Sequence, residues 1–524
     1  MSGQPDAPRL IGFSRTFDLA ALFLLVLIFG IATWKMAAFF HDDALISLRY
    51  ARNLALHGEL AWNLGEMTEG YTNLLHVLLS AALIRFGLDP MLAAQVINWI
   101  AFAVLLPLAW ALTDGFHLRM GARMAAMSSV VSVPVICWIF GGLEAVLVAV
   151  FTAAAYLCAK QILMGRDALW LSFLASAFFA LGYLTRPDTL IANLGLGFAI
   201  LAFAPVSPAR RIAHFVAIGT VSALVLITHV IIRLQVYGEL LPLTFYAKVG
   251  VNTAERLSSG ITYLGMCLVV LPALWLLAIG LLNRSGVGDQ NARRIFKACL
   301  TVAALVLVYV LWSGGDHMPN ARFLVPLTPL LVMSTAAVLA QLAPNMRVGF
   351  AAALLIIGVV VSAIRPAEYV DPAAALGAIM GDHLNTTEPA PKLIAVATAG
   401  ATPYFATHHT YIDTLGLNDP HIAKSDAVGA MSEAMAIPGH AKGDAAYVLS
   451  REPDIIIFGT ATGLPSELPI FRMDYQLNEL PEFEACYALE WHDRPREAHA
   501  GMWSPVIEKR PIKLFLYHRT CPKT

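Results

Sequence analysis

Long apolar stretches dominate the chain up to Ile364 and do not recur beyond it. Stretches long enough to cross a hydrocarbon core of roughly 30 Å as helices begin at Leu19. From Pro366 the sequence is polar and rich in Pro, His and Asp. Short apolar runs in this part, which predict strands of a small α/β or α+β domain, lie at residues 393–397, 455–458 and 513–517. The pattern predicts two domains, a helical membrane domain at residues 1–365 and a soluble cap at residues 366–524.

Short loops rich in arginine and lysine are expected to stay in the cytoplasm, and they fix the orientation of the helices. If all of these basic loops are on the inside, the apolar segment 73–86 cannot also cross the membrane, because it would add one crossing too many. The segment is short for a membrane helix, and Thr72, His76 and Ser80 form a polar stripe, so we expect it to lie along the outer interface. About eleven crossings remain, at residues 19–40, 91–112, 122–139, 142–163, 168–185, 189–205, 211–234, 261–282, 295–312, 322–342 and 346–364. The amino terminus is then inside, and the helices of the loop at 41–88 and the cap are in the periplasm.

The composition agrees with a membrane protein and narrows the substrate classes. The 524 residues are 58% hydrophobic and 14% charged, with a mean hydropathy of +0.66, which is more apolar than a soluble protein of this size. The net charge of −1 provides no basic field for nucleic acid. The inner loops contain neither a P-loop nor a GxGxxG motif, so we expect the activated substrate to arrive through the membrane. The predicted location is a bacterial inner membrane, crossed many times.

Cysteines occur in both parts of the chain. Those in the apolar segments, which we interpret as small buried hydrophobic residues, are Cys137, Cys158, Cys267 and Cys299. Cys486 and Cys521 both lie in the predicted cap, and in a periplasmic domain they could form a disulfide. The sequence leaves that pairing open.

The first outer loop carries closely spaced charges. His41, Asp42 and Asp43 follow the first helix, and Arg49 comes later on an amphipathic segment. Paired carboxylates at a membrane boundary are costly and mark function more often than not, although charges past a helix end also sit among lipid headgroups. Asp42 and Asp43 are therefore candidate catalytic carboxylates.

Several distinct motifs occur along the outer loops and the cap. They are DDALISLRYARNL at 42–54, Trp62-Asn63, EGYTNL at 69–74, GGDHM at 314–318 with Arg322, Phe323 and Pro326, and DTLGL at 413–417 with His421. Together they resemble the mycobacterial terminal arabinofuranosyltransferase family and its Gram-negative relatives, some of which are labelled flagellar motor control proteins. The resemblance implies the GT-C fold of membrane glycosyltransferases, a polyprenyl-phosphate sugar donor, an acidic residue in the first outer loop and a periplasmic cap over the site.

A transfer of this kind needs a base for the acceptor hydroxyl and cations for the departing phosphate. Neighbouring residues on a helix point about 100° apart, so only one of Asp42 and Asp43 should face the site. Asp42 is favoured by a small margin, because it is nearer the membrane surface. Candidate ligands of the donor phosphate are the cations Arg186, Lys248, Arg322 and Arg49. Each could instead be an interface anchor, and Arg186 could pair with Asp188.

Further polar and aromatic residues of the outer loops and cap are candidates for substrate binding. They are His41, Trp62, Glu69, Tyr71, Asn73, His76, Glu144, Tyr246, Asp316, His317, Asp413 and His421. The aromatic rings could stack on a sugar, but they also fit an interfacial belt. Carboxylates and histidines in this set could bind a divalent metal, yet a monophosphate can leave with the help of Arg and Lys alone. No metal or other cofactor is therefore expected.

The sequence as a whole predicts an integral-membrane glycosyltransferase that acts as a monomer. By the resemblance it moves arabinofuranose from decaprenyl-phosphoryl arabinose, or a related polyprenyl-phosphate sugar, to a periplasmic glycan, glycolipid or protein. One alternative is a non-catalytic inner-membrane protein that affects flagellar motility. Another is a transporter, which would require inverted repeats and broken helices with charges at the bilayer midplane, and the sequence predicts neither.

Overall fold

The computed structural model describes residues 8–248, 253–282, 289–366, 369–426, 429–435, 438–494 and 512–523. The helices up to residue 363 are α1 (Pro8–Met36), α2 (Asp42–His57), α3 (Leu74–Arg85), α4 (Pro90–Leu112), α5 (Met120–Met127), α6 (Val133–Phe140), α7 (Ala145–Leu163), α8 (Leu169–Thr185), α9 (Thr189–Phe203), α10 (Pro208–Tyr237), α11 (Leu243–Lys248), α12 (Thr253–Val270), α13 (Ala273–Leu282), α14 (Gln290–Ser313), α15 (Thr328–Gln341) and α16 (Pro344–Ala363). A 3₁₀-helix at Arg322–Leu327 precedes α15.

The chain is a multi-pass membrane protein. Within the described ranges, seven helices are long and apolar enough to cross a membrane, or eight if the bent pair of α12 and α13 forms one span. These seven coincide with seven of the predicted crossings, and the bent pair coincides with an eighth. The shorter apolar helices α8 and α9 occupy two more predicted crossings, and α3 is the short apolar helix expected at the interface. The predicted fold class, a polytopic helical domain followed by an α/β cap, is confirmed.

Two predicted crossings are broken helices, which the sequence did not predict. Helices α12 and α13 meet at a bend of 100° beside Pro272, which cannot continue a helix. The expected crossing at 122–139 consists of α5 and α6, of eight residues each. Both breaks border one cavity of about 10 Å³, and no charged residue lines it. The breaks therefore lack the charges that a transporter would place there.

Two buried lysines cap helix ends inside the membrane domain. Lys160 of α7 donates from Nζ to three carbonyl oxygens at the end of α4, including that of Asp114 at 2.6 Å. Lys35 of α1 donates to the carbonyl of Ala363, at 2.6 Å, at the end of α16. Cations at these positions satisfy the last carbonyls of a helix and complement its dipole. The lysines thus tie α7 to α4 and α1 to α16.

The C-terminal α/β domain contains a mixed five-stranded sheet of order β2-β1-β3-β5-β4. Its strands are β1 (Leu393–Val396), β2 (Thr410–Asp413), β3 (Ile455–Ile457), β4 (Tyr487–Arg494) and β5 (Ile512–Arg519), and its helices are α17 (Pro372–Thr387), α18 (Ala401–Phe405), α19 (Pro420–Lys424), α20 (Ala445–Ser450), α21 (Arg472–Glu479) and α22 (Pro481–Cys486). Strands β2, β1 and β3 are parallel, and the β4–β5 hairpin is antiparallel. The disulfide that the sequence left open is present between Cys486 and Cys521, at the open end of this hairpin.

Helix α2 and the segment after it join the C-terminal domain to the membrane domain. Tyr50, on α2, donates to Asn418 at 3.1 Å, and Asn63 donates to the carbonyl of Tyr411 at 2.8 Å. Apolar residues of α2 and α3 share a buried core with residues of β1, β3 and β5. The sheet therefore packs directly on the first-loop segment and fixes its position.

Candidate active site

A cavity of about 370 Å³ opens between the membrane helices and the segment that follows α1. Its charged lining residues are Asp43, Glu144, Arg186, Asp188, Arg233, Lys248 and Arg322. Leu226, Val230 and Arg233 lie on one face of α10, so the wall changes from apolar to charged along that helix. Leu417 of the C-terminal domain also lines the cavity. A cavity of this kind can take an amphiphilic ligand that carries an anionic group.

Asp42 and Asp43 both begin α2, but they face different neighbours. Asp43 lines the cavity, and its side chain is 33% exposed. Asp42 is buried, and its carboxylate accepts the backbone N–H groups of Ala401 at 2.7 Å and Gly400 at 3.1 Å. Its own N–H donates to Asp371 at 2.8 Å. The small preference for Asp42 is therefore corrected in favour of Asp43, because Asp42 docks the start of α2 on the C-terminal domain.

The pKa values of these two carboxyls shift in opposite directions. Burial, and then the neighbouring Asp371, raise the pKa of Asp42 well above its usual value. Burial alone would also raise the pKa of Asp43, but the histidine and cationic groups around it, His41 first among them, together lower it. Asp43 is therefore ionised at neutral pH. Two carboxyls whose pKa values are pushed apart are typical of a site in which they have different tasks.

Arg186 presents an unused hydrogen-bond donor at the cavity. Its Nε and Nη2 donate to the carboxylate of Asp188 at 3.0 and 2.8 Å, which is the pairing that the sequence left open. Its Nη1 lies 3.6 Å from Glu144 and is buried without a hydrogen-bond partner among the described residues. The guanidinium also lies 4.8 Å from the ring centre of Phe323. One N–H-bearing nitrogen of a fixed cation therefore remains for an anionic oxygen of a ligand.

Arg322 and Lys248 differ in how their charges are compensated. The Nε of Arg322 donates to Asp316 at 2.8 Å, and both side chains are nearly buried. Burial would raise the pKa of Asp316, but Arg322 and the other nearby cations lower it. Lys248, at the end of α11, has no carboxylate within ion-pair distance among the residues that the structure describes. Lys248 is thus the lining cation most available to a new negative charge.

Four predicted substrate-binding residues lie at or beside the charged wall. Asn73 donates to Glu144 at 3.0 Å, and both residues line the cavity. His41 caps α2 by accepting the N–H of Asp43 at 3.2 Å. The ring of His317 lies 6.3 Å from that of His41, measured between centroids. No group of three or more His, Cys, Asp or Glu side chains in the described ranges is arranged to hold a metal ion.

Arg49 and Trp62 lie away from the cavity, which corrects their predicted positions at a ligand. Arg49 is buried and donates to the carbonyls of Trp62, at 2.6 Å, and Pro403. Its guanidinium lies near the rings of Trp62 and Tyr411, at 5.4 and 5.1 Å from their centres. Trp62 is only 2% exposed, so a sugar has no access to its ring. Both residues hold the first-loop segment on the sheet.

Four other predicted residues differ in their contacts, and only one of them lines the cavity. They are Glu69, Tyr71, His76 and Tyr246. Glu69 forms a buried ion pair with Arg233 of α10, with one N–O distance of 3.0 Å. The hydroxyl of Tyr71 lies 2.9 Å from that of Tyr237, and the Tyr71 side chain lines the cavity. Tyr246 does not line the cavity, and the Lys424 ammonium lies 5.5 Å from its ring centre. His76 is buried away from the cavity, with neither ring nitrogen hydrogen-bonded among the described residues.

The two predicted residues of the C-terminal domain also lie outside the cavity. Asp413 accepts the N–H groups of Leu415 and Asn418 at 3.0 and 2.8 Å, so it shapes the turn after β2. His421 is exposed, stacks on Tyr447 at 4.0 Å and pairs with a carboxylate of the same domain. Neither side chain therefore lines the cavity, contrary to their predicted role as ligand contacts: Asp413 is buried inside the domain, and His421 lies on its surface.

Some residues that hold the loop residues of the site in place were not predicted from the sequence. Arg233 was taken as the end of an apolar crossing, although a charge on such a helix was a usable signal. Asp371 and Gly400 hold Asp42 from positions more than 300 residues away along the chain. No local sequence pattern predicts such contacts, because they depend on the packing of the C-terminal domain against α2.

The comparisons with known proteins give similarities of sequence and fold. Residues 363–504 match a family described as a domain of unknown function, DUF8728. No curated protein matches the chain. Among solved structures, ArnT from Cupriavidus metallidurans, bound to undecaprenyl phosphate, is 11% identical with a TM-score of 0.48, covering 76% of this chain and 85% of its own.

Two further solved structures span only part of their own length in the alignment. The Archaeoglobus fulgidus oligosaccharyltransferase is 14% identical with a TM-score of 0.48, and the alignment covers 75% of this chain and 64% of that one. The arabinosyltransferase EmbB from Mycobacterium smegmatis is 16% identical with a TM-score of 0.35, covering 66% of this chain and 32% of that one. Because every one of these TM-scores is below 0.5, these structures do not assign a function to the chain.

Proposed function

We propose that the chain is an integral-membrane glycosyltransferase of the GT-C class, working at the periplasmic face of a bacterial inner membrane. It transfers a sugar from a polyprenyl phosphate to a hydroxyl group of a glycan, glycolipid or protein. The observation that carries this proposal is the cavity in which Asp43 shares a wall with Arg186, Lys248 and Arg322. The resemblance of residues 42–54 to the arabinofuranosyltransferase motif favours arabinofuranose as the sugar.

The lining of the cavity suits each part of such a donor. A polyprenyl chain is apolar and fits beside the apolar residues of α10, including Leu226 and Val230. A phosphodiester carries one negative charge. Lys248, which has no ion-pair partner among the described residues, can bind this charge together with the Nη1 of Arg186, which has no hydrogen-bond partner among them. The lining cations Arg186, Arg233 and Arg322 already have carboxylate partners, so Lys248 is the cation with the least compensated charge. The charge of the wall thus favours a monophosphate-linked donor.

The reaction breaks the bond between the anomeric carbon and the phosphate oxygen and forms a bond from the acceptor oxygen to that carbon. Asp43 takes the proton of the acceptor hydroxyl. The polyprenyl phosphate leaves with the bonding electron pair and gains a negative charge. Arg186 and Lys248 stabilise that charge, because they are fixed where it develops. Arg322, held by Asp316, adds to the positive field at Asp43.

The test is a transfer assay in proteoliposomes with radiolabelled decaprenyl-phosphoryl arabinose and an octyl arabinofuranoside acceptor. We expect Asp43→Asn to lower turnover by about 10²- to 10⁴-fold, which is the usual contribution of a positioned base, while donor binding is retained. His421→Ala, on the exposed surface of the C-terminal domain, is the matched control and should keep wild-type turnover. Undiminished turnover of Asp43→Asn would remove the catalytic assignment. A motility function that survives this substitution would instead favour the non-catalytic alternative.

A further inference from the structure

One turn of the C-terminal domain, at residues 438–440, lies beside Lys248, which lines the charged wall of the cavity. Gly439 in this turn has a φ of 91°, and a Cβ built on it would lie 3.8 Å from Cγ and Cε of Lys248. The backbone of the turn therefore lies against the stem of Lys248. The next residue, His440, places its ring 4.8 Å from that of His317 in an edge-on arrangement. The turn thus contacts both a lining cation and the loop before Arg322.

A row of imidazole rings leads from this turn to the reactive carboxylate. His440 is followed by His317, and His317 by His41 at 6.3 Å. The Nδ1 of His41 lies 3.9 Å from the carboxylate of Asp43. The side chains of Asp43 and His317 are 33% and 26% exposed, so open space remains beside them.

His440 has an unused polar atom in this position. Its Nδ1 is buried and makes no hydrogen bond of normal geometry with the described residues, although the backbone of Pro438 lies close enough to act on the pKa of the ring. A buried polar atom without a partner is unfavourable unless a ligand or a water molecule supplies one. Burial lowers the pKa of His317, whose ring contacts that of His440, to about 3, so His317 is uncharged at neutral pH. An uncharged ring suits a neutral ligand. Cations for an anionic ligand lie instead at Arg186 and Lys248.

We propose that His440 is an acceptor-binding residue, which the C-terminal domain places beside Lys248 and His317. It binds a hydroxyl group of a neutral sugar, and a second hydroxyl of that sugar then lies against Asp43. This inference rests on the proposed glycosyltransferase function and adds the acceptor side to it. The acceptor oxygen attacks the anomeric carbon of the donor, its proton passes to Asp43, and the lipid phosphate leaves with the electron pair of the broken bond. His440 takes no proton in this step, so it binds and orients the acceptor.

The experiment separates acceptor binding from donor binding in the full-length protein. Transfer from decaprenyl-phosphoryl arabinose to an octyl arabinofuranosyl disaccharide is measured in proteoliposomes, giving KM for the acceptor and kcat. Affinity for the donor and its slow hydrolysis by water are measured without acceptor. The variants are His440→Ala, the hydrogen-bonding replacement His440→Gln, and the control His421→Ala, whose ring stacks on Tyr447 in the same domain.

We expect His440→Ala to raise the acceptor KM about tenfold, which is the effect of losing one good hydrogen bond. Donor affinity and donor hydrolysis should stay within about twofold of wild type, and His440→Gln should recover most of the acceptor affinity. An unchanged acceptor KM in His440→Ala would overturn the proposal, and so would a parallel loss of donor affinity. If the wild-type protein neither bound the donor nor transferred its sugar, the proposed function would fail first and this inference with it.

Discussion

A methyl group added at Gly400, in the C-terminal domain, should displace Asp43, the proposed catalytic carboxylate. A Cβ built on Gly400 would lie 2.1 Å from the carbonyl oxygen of Asp42 and 2.6 Å from its carboxylate. Contacts under 3.0 Å are not tolerated, and the nearest atom belongs to the backbone and cannot rotate away. Gly400→Ala should therefore push the first turn of α2 off the C-terminal domain. Asp43 is the next residue on that turn and must move with it.

The size of the effect follows from the contacts that are lost. The carboxyl group of Asp42 accepts two backbone N–H groups, from Gly400 and Ala401. The typical net contribution of a hydrogen bond to stability is about 1 kcal/mol. The loss is then about 2 kcal/mol, which corresponds to roughly 30-fold in turnover if it appears wholly as displacement of Asp43.

The assay is the same proteoliposome transfer, combined with thermal unfolding to verify that the protein is folded. Gly349→Ala is the matched control, because a Cβ on that glycine of α16 meets no heavy atom within 4 Å. Asp42→Ala combined with Gly400→Ala should not restore activity, since the closest contact is with the Asp42 backbone. Wild-type turnover in a folded Gly400→Ala protein would refute the idea that the C-terminal domain positions Asp43.

Three further perturbations test other parts of the molecule. Lys248→Met should weaken binding of decaprenyl phosphate about tenfold in a fluorescence titration, because it removes the uncompensated cation; unchanged affinity would contradict the phosphate assignment. Burial raises the pKa of Asp413 to about 6, so the folded state holds this proton more tightly than the unfolded state, and wild type should lose about 3 kcal/mol of stability as pH rises from about 4 to 6. Thermal unfolding of Asp413→Asn across this range should lack that loss, whereas an identical slope in both proteins would exclude Asp413 as its source. Replacing Cys486 and Cys521 by serine should lower the stability of the C-terminal domain by about 3–4 kcal/mol, and a reductant should destabilise wild type but not this variant.

The membrane helices and part of the sheet could be predicted from the sequence because their signals are local. Continuous apolar runs mark both the long helices and the buried strands β1 and β3. Strand β4 was not predicted, because it is an edge strand with charged and aromatic residues mixed along it. The breaks between α5 and α6 and between α12 and α13 were missed for a related reason. Both lie inside apolar sequence, where hydropathy does not distinguish a continuous helix from an interrupted one.

The candidate site was predictable in kind but not in every residue. Cations at outer helix ends were identifiable by position, and Arg186, Lys248 and Arg322 do line one cavity. The choice between Asp42 and Asp43 depended on the rotation of α2, which its contact with the C-terminal domain sets. Single-sequence reasoning contains no information on that contact. Arg49 was predicted to bind the donor phosphate for the same reason, because its contact with Pro403 of the C-terminal domain cannot be read from the sequence.

The lowered pKa of Asp43 makes this carboxylate a weak base in the free protein. Binding of the proposed donor would raise that pKa. The cations that help lower the pKa of Asp43 include Lys248, which the donor phosphate would engage. A negative charge bound beside Asp43 raises the pKa of this carboxyl, because it disfavours a second negative charge nearby. The base would then reach useful strength only when the donor is bound, so acceptor hydroxyls are not activated in an empty site.

This coupling predicts a difference between two pH profiles of the same enzyme. The acidic limb of kcat/KM for the donor reports Asp43 in the free protein, and that of kcat reports it in the donor complex. We expect the apparent pKa to be higher in the kcat profile than in the kcat/KM profile. In Lys248→Met the free-protein value should rise towards that of the complex, because one of the cations that lower it is gone. Coincident acidic limbs in the wild-type profiles would show that the donor charge is not sensed at Asp43, and the base would then have to be another group.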